Sequence, residues 1–519
     1  MPAKRTFFVT TPIYYVNDLP HLGHAYTTVA CDALARFMRL DGYRVRFLTG
    51  TDEHGQKVEK SARAAGLSPQ QFADRVSAAF RDMNRLLDIS NDDFIRTTEE
   101  RHVRGVEALW CELERRGEIY LGRFAGWYSV RDEAFYEESE LIEGPNGPLA
   151  PTGAEVEWFE EENYFFRLSA WRDRLLAYYE ANPEAIAPRS RRNEVISFVR
   201  GGLKDLSISR TSFSWGIPVP GNPRHVIYVW LDALANYLTA IGYPDTDNED
   251  FSIFWPADLH VVGKDILRFH AVYWPAFLMA AGLKPPRRVF AHGWWTVEGQ
   301  KMSKSLGNFI APEAIVKTYG LDPVRYFLLR ELPFGNDGDF SHRAVVGRLN
   351  GDLANDFGNL AQRVLTLINR HCSAAVPAPE AFAAADRALL DAARALLPIV
   401  RGHMAEPAFH SALEAIWRVV GEANRYVDEA APWVLARTDA ARMRTVLYTL
   451  SEVIRHLAIL MQPFVPGSAA RLLDQLAVAP DERDFRSLAG APLKPGTPLP
   501  KPQGIFPRFV EPAAAAGRG

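Results

Sequence analysis

Apolar positions along this chain follow two patterns, and the change comes near residue 345. Before it, short continuous apolar runs alternate with helical stretches. Phe7 to Thr11 predicts a buried strand, and Thr11 to Asp18 a turn-rich loop. Pro20 suits an early helical position, and Ala25, Val29, Leu34 and Phe37 carry a helix to Asp41-Gly42. Val45 to Leu48 predicts a second strand, closed by Thr49-Gly50-Thr51-Asp52-Glu53-His54-Gly55. Strand, helix and strand in that order form a βαβ unit with parallel pairing. Ligands of such sheets sit at the carboxyl ends of the strands, where both loops lie. Further strand-like runs are Val226 to Trp230, Leu259 to Val262 and Val289 to Ala291.

Residues from about 115 to 220 are aromatic and acidic, and predict an insertion into the sheet domain. Beyond 345, helical spacing runs through Leu349, Leu353 and Leu360, then Leu389 to Val400, Leu413 to Tyr426 and Val446 to Leu460. That predicts a separate α-helical domain. The tail from about 490, rich in Pro, Ala and Gly, predicts an extended or mobile segment.

Composition narrows the picture modestly. The chain has 519 residues, 47% hydrophobic and 24% charged, which fits two or three globular domains. No apolar run is long enough to span a bilayer, and Met1 to Arg5 leave no room for a leader, so a cytoplasmic protein is expected. A net charge of −4 excludes a uniformly basic nucleic-acid coat but not a local phosphate-binding patch. Cys31, Cys111 and Cys372 lie far apart and are expected to be buried free thiols.

Two short strings carry chemistry. His21-Leu22-Gly23-His24 falls at the predicted helix start, where unpaired N–H groups and the dipole favour phosphate. The two imidazoles, three residues apart, are expected on one helix face as donors, with Gly23 leaving space for a nucleotide. Lys301-Met302-Ser303-Lys304-Ser305 lies in a loop bounded by Gly299 and Gly307, with cations suited to a pyrophosphate. Neither string is a Walker A loop. Alone, the first reads as a pair of ordinary surface histidines and the second as a solvated basic loop.

Together, in this order, the strings resemble the HIGH and KMSKS signatures of class I aminoacyl-tRNA synthetases. Thr10 to Asn17, Gly50 to Gly55, Tyr228 to Ala233, Gly263-Lys264-Asp265-Ile266 and Ala431-Pro432-Trp433 resemble the methionyl branch of that family. The resemblance implies a Rossmann-like catalytic domain (1–114 and 225–290) interrupted by a connective-peptide domain (115–224). A stem-contact region with the KMSKS loop (291–345), an α-helical anticodon-binding bundle (346–475) and a C-terminal tail (476–519) would follow. The implied activity is methionine–tRNA ligation: L-methionine and MgATP give methionyl-adenylate, and tRNA(Met), initiator included, accepts the methionyl group.

Residue roles follow by match. Ile13, Tyr15, Trp230, Ala233, Tyr237, Ile266 and His270 would form the methionine side-chain pocket, and Asp52 would pair with the ammonium. Gly23, His24, Gly263 and Asp265 would contact the nucleotide, and His21, His24, Lys301 and Lys304 would act on the phosphates within a loop that includes Met302, Ser303 and Ser305. Asn359, Arg363 and Trp433 would read the anticodon. Aromatic walls suit the thioether, at about 0.3–1.5 kcal/mol per sulfur–ring contact, and Tyr15 or His270 is expected to add a weak hydrogen bond.

The sequence also departs from the family. Many relatives hold zinc in the insertion, yet no Cys or His occurs from Glu112 to Arg224, and Ser129 and Asp132 stand where a cysteine pair is expected. A zinc-free knuckle held by packing is expected. The insertion is too short for a hydrolytic editing domain, and no appended dimerisation domain is evident, so a monomer is expected. Arg189, Arg191, Arg192, Arg200, Lys204 and Arg210 predict a solvated basic face, or a contact for the tRNA acceptor end. Two rival functions stay open: a synthetase for another apolar amino acid, and a catalytically idle tRNA-binding paralogue.

Overall fold

The structure, a computed structural model, describes residues 5–511 apart from Glu133, Glu137, Asn146 and 302–308. The chain divides into two compact units. One comprises Thr6–Pro20 and Arg46–His292; the other comprises Met1–Arg5, His21–Val45 and Gly293–Gly519.

The first unit is built on a seven-stranded sheet. Its path runs Ile186–Ala187, Val289–His292, Leu259–Gly263, Thr6–Thr10, Arg44–Asp52 and Tyr14–Tyr15, with Asp93–Arg96 also paired to Arg44–Asp52. The registered pairs are parallel. Phe8, Val9, Phe47, Leu48, Val261 and Val262 are fully buried, as expected of parallel strands covered on both faces. Gly50 is obligatory there: a Cβ would lie 2.0 Å from the Ile95 carbonyl oxygen.

The predicted insertion carries its own antiparallel sheet, ordered Leu206–Ser207, Glu157–Phe166, Ile119–Ser129 and Ala134–Tyr136. The expectation that packing holds its knuckle needs correction. Asp132 is a hydrogen-bond hub there. Its carboxylate accepts from Tyr136 (2.9 Å), Arg131 (3.2 Å) and Thr152, and its backbone N–H donates to the Ser129 hydroxyl (3.3 Å). Two other expectations change. Val226 to Trp230 is not one strand: a strand ends at Ile227, and a helix, Val229–Thr239, begins after Tyr228. The 3.6-residue spacing of Trp230, Ala233 and Tyr237 outweighs the β-branched run before it. Arg210 is not on a solvated face. It is 2% exposed, donates to Ser207 and Ser209, and lies 4.3 Å from the Tyr228 ring centre.

The second unit begins with the helix Leu22–Leu40 and includes Pro312–Tyr319 and Leu321–Arg330. Its bundle comprises Asn359–His371, Ala384–Ala405, Phe409–Ala430, Ala440–Met461 and Pro466–Gln475. Fully buried Arg325 donates to fully buried Asp32 at 2.6 Å, and also to the Pro463 and Phe464 carbonyls. The tail is extended but pinned. Val376 donates to Thr497, Leu499 to Ala374 and Phe509 to Asn350, and Leu493, Ile505 and Phe506 are buried. Of the thiols, Cys31 is buried, Cys372 half-buried and Cys111 exposed, which corrects the expectation for the last two. Among the described residues, no helix is long and apolar enough to cross a membrane.

Candidate functional site

In the sheet unit, the parallel register sets Tyr15 beside Asp52 and Tyr14 beside Thr51. The Val16 N–H donates to the Asp52 carbonyl at 3.1 Å. Asp52 is 8% exposed at the carboxyl end of its strand. Trp230, Ala233 and Tyr237 share one face of the helix Val229–Thr239. Trp230 stacks on Phe269 at 3.6 Å and meets His270 edge-on at 6.2 Å. Ile13 and Ile266 pack half-buried against the same core. Seven of the eight expected methionine contacts thus lie in a linked aromatic and aliphatic set, with Asp52 at its sheet edge. Phe269 was not anticipated; its place beside His270 in a π-helical turn, Phe269–Tyr273, is a feature common at functional sites.

His270 acts differently from the expectation. Its Nδ1 lies 3.0 Å from the Ile266 carbonyl and carries the proton. Its Nε2 therefore accepts from the Tyr237 hydroxyl at 2.8 Å. With its one proton committed, neutral His270 orients Tyr237 instead of donating to a thioether. Tyr237 also stacks on His260, ring centres 4.0 Å apart, and His260 Nδ1 lies 2.8 Å from the Thr10 hydroxyl. Burial pushes the His270 imidazole down to about 4, and His260 well below its usual range. Keeping His270 neutral stabilises the fold fully above the unfolded value of about 6.5. That contribution falls as pH drops through about 4. Melting curves should show lower stability at pH 5 than at pH 7.5, and a His270→Phe variant should lose part of that difference.

At the end of the strand Leu259–Gly263, Gly263 pairs with His292 in register, and a Cβ there would meet the Asp265 carboxylate at 2.5 Å. Asp265 itself is exposed, in the turn Lys264–Ile266.

In the second unit, His21 is the N-cap of the helix Leu22–Leu40, not part of its first turn. Its Nδ1 accepts from the Gly23 N–H at 3.0 Å, and His24 Nδ1 accepts from the His21 N–H at 3.1 Å. This reciprocal capping corrects the expectation of unpaired N–H groups: Gly23 N–H is taken by His21, and Leu22 N–H by the Ile310 carbonyl. It also fixes both tautomers. Each Nδ1 holds a lone pair, so each remaining proton is on Nε2, a donor suited to phosphate oxygen. The two rings lie 3.8 Å apart, and burial, aided by His21, lowers the His24 pKa well below its usual value. Gly23 has a sharper reason than nucleotide space. A Cβ would meet His21 Cε1 at 2.9 Å.

Lys301 ends a short strand paired with Thr296. Met302, Ser303, Lys304 and Ser305 lie outside the described residues. Just beyond them, Phe309 meets the His21 ring edge-on at 5.8 Å, and Ile310 caps Leu22. The far foot of the predicted loop is therefore held against the His21 motif.

In the bundle, Arg363 lies with its guanidinium 5.3 Å from the Trp433 ring centre. Asp428, absent from the sequence-based set, accepts from it at 2.8 Å. Trp433 is 42% exposed near the start of Pro432–Thr438, after Ala431 in a left-handed conformation. Asn359 is exposed one turn before Arg363 on the helix Asn359–His371. An exposed indole beside a guanidinium is a platform for an unpaired base. Among the described residues, no group of three or more His, Cys, Asp or Glu side chains is placed to hold a metal ion.

The family model "tRNA synthetases class I (M)" matches residues 7–152 and 145–365, and "Anticodon binding domain of methionyl tRNA ligase" matches 376–515. The methionine–tRNA ligase of Brucella suis biovar 1 (strain 1330) is 57% identical over 510 residues, 98% of this chain and 99% of that protein. That of Mycobacterium tuberculosis (strain ATCC 25618 / H37Rv) is 55% identical over 520 residues, 99% and 100% of the two chains. The structure of M. tuberculosis methionyl-tRNA synthetase in complex with methionyl-adenylate aligns with a TM-score of 0.96 at 56% identity, covering 97% of this chain and 100% of that one. The apo form aligns with a TM-score of 0.90 at 52% identity, covering 98% and 99%. The chain belongs to the methionine–tRNA ligases, within the class I aminoacyl-tRNA synthetases.

Proposed function

We propose that this chain activates L-methionine with ATP and passes the methionyl group to the 3′-terminal adenosine of tRNA(Met), serving initiation and elongation. The methionine carboxylate attacks the α-phosphate in line, forming an acyl–phosphate bond and releasing pyrophosphate. A ribose hydroxyl then attacks the acyl carbon, forming the ester and releasing AMP. Asp52 pairs with the substrate ammonium, and Ile13, Tyr15, Trp230, Ala233, Tyr237, Ile266 and His270 enclose the side chain. Gly263 and Asp265 contact the nucleotide. His21 and His24 donate from Nε2 to phosphate oxygens, Lys301 and Lys304 neutralise the leaving pyrophosphate, and Met302, Ser303 and Ser305 belong to the same loop. Mg2+ accompanies ATP as a phosphate-bound counter-charge. Catalysis is positioning and charge stabilisation, with no covalent enzyme intermediate.

The observation that carries this reading is the fixed Nε2 tautomer of the His21–His24 pair. Amino-acid-dependent ATP–pyrophosphate exchange tests it. Exchange with methionine supports it, exchange with leucine favours a different synthetase, and no exchange with any amino acid favours an idle paralogue.

Four further proposals accompany this reading. The chain is monomeric and cytoplasmic, and a sedimentation mass near twice 58.2 kDa would overturn the first. Its knuckle is zinc-free, with Asp132 taking the structural part of a metal; about one zinc per purified chain would overturn that. Arg189 and Arg200, both exposed, contact acceptor-end phosphates. Replacing both by alanine should lower the slope of log affinity for tRNA against log salt by about 1–2.

A further inference from the structure

Asp232 has no part in the scheme above, yet it is completely buried on the helix that carries Trp230, Ala233 and Tyr237. Each of its carboxylate oxygens meets a histidine. His54 Nδ1 lies 2.6 Å from Oδ2, and His102 Nε2 lies 2.7 Å from Oδ1. His102, also fully buried, extends through Nδ1 to the Thr239 hydroxyl at 2.9 Å. Burial alone raises a carboxyl pKa, but the two histidines outweigh it and hold Asp232 below the ordinary carboxylate range. The group is therefore an anion accepting from two ring N–H donors.

The segments joined are the telling feature. His54 follows Asp52 by two residues, just past the strand Arg44–Asp52. His102 belongs to the helix Glu100–Arg115. The Asp52 segment is clamped a second time: Trp215 Nε1 donates to the Glu53 carbonyl at 2.6 Å, and Gly55 N–H donates to the Trp215 carbonyl at 2.9 Å. Recognising methionine needs two fixed points, an anion for the ammonium and a wall for the thioether chain. They lie on separate segments, and Asp232 ties those segments together.

We propose that Asp232 is a positioning residue for methionine: through His54 and His102 it fixes the Asp52 segment against the helix that carries Trp230, Ala233 and Tyr237. The proposal rests on the functional reading above, and it separates cleanly from that reading by experiment.

Asp232→Asn is a charge-specific probe. The new amide oxygen still accepts from His54. The new amide N–H can donate to His102 Nε2 if His102 moves its proton to Nδ1 and donates to Thr239. The hydrogen-bond count survives while the anion is lost. Methionine affinity of the full chain is measured by equilibrium dialysis with radiolabelled methionine, alongside exchange kinetics. We expect methionine binding about tenfold weaker, with exchange kcat within about threefold. In an Asp52→Asn background, Asp232→Asn should add less than about twofold, since its effect passes through Asp52. Unchanged affinity, or penalties that multiply in full, would overturn the proposal. If Asp232→Asn abolishes the melting transition, His54 decides. Asparagine keeps a donor near the position of Nδ1 and should restore affinity to within about threefold, whereas leucine should lose about tenfold; equal losses overturn it. If the unsubstituted chain binds no methionine, the functional reading fails and this proposal with it. If it binds and the variants match it, this proposal fails alone.

Discussion

Gly23→Ala is expected to cut methionine-dependent ATP–pyrophosphate exchange by about a hundredfold or more, equivalent to about 2.7 kcal/mol in the transition state. The reason is geometric. The new Cβ would lie 2.9 Å from His21 Cε1 and 3.1 Å from Nδ1. The imidazole is confined by the His24 ring at 3.8 Å and the Phe309 ring at 5.8 Å, so it must swing out of its cap. That costs the Nδ1 bond from Gly23, about 1 kcal/mol for an N-cap, and withdraws the Nε2 donor from a charged oxygen, about 1.5–3 kcal/mol. Methionine binding should stay within about twofold, because in the proposed scheme the His21–His24 pair acts on the phosphates while Asp52 and the Trp230–His270 set hold the methionine. Exchange within threefold of the parent rate would refute this account of Gly23.

Trp433→Ala is expected to lower kcat/KM for tRNA(Met) aminoacylation by about ten- to a hundredfold while leaving exchange unaltered. Loss of one stacked base costs about 1–3 kcal/mol. Removing the indole also takes away the face that lies 5.3 Å from the Arg363 guanidinium. Asp428 would still accept from Arg363, so the arginine keeps its place, and Trp433→Phe should recover much of the loss. Equal damage to exchange and aminoacylation would point to misfolding and count against an anticodon-reading role.

Much of this was legible in the sequence because its signals are local. Each strand and helix of the start, each of the two strings and each helix of the second half can be read from spacing within about twenty residues. The misreadings share a cause as well. Val226 to Trp230 reads as one strand because β-branched residues run up to a helix start. His270 reads as a thioether donor because nothing in the sequence shows that Ile266 and Tyr237 together set its tautomer. The steric limit at Gly23 is hidden because nothing in the string tells where the His21 ring lies. The pairing of Asp232 with His54 and His102 is hidden, since partners 178 and 130 positions apart leave no periodic trace. The tail was expected to be extended, and its Pro-rich sequence does adopt that form, but the pinning by Ala374, Val376 and Asn350 depends on tertiary contacts.

The buried Arg325–Asp32 pair sets a limit on how this protein can be divided. Asp32 lies on the helix headed by His21, and Arg325 also donates to the Pro463 and Phe464 carbonyls, in the turn between the bundle helices Ala440–Met461 and Pro466–Gln475. Removing one partner of such a pair leaves a charge stranded in the core, at a cost of about 3–5 kcal/mol. That is a large share of the 5–15 kcal/mol that keeps a typical domain folded. A fragment trimmed to remove the tRNA-reading bundle would leave Arg325 without two of its acceptors, beside the helix it was built to brace. The end of this unit that carries the His21-headed helix is therefore no detachable cassette, and any recombination with another anticodon-binding domain would have to carry the 463–464 turn along with that helix.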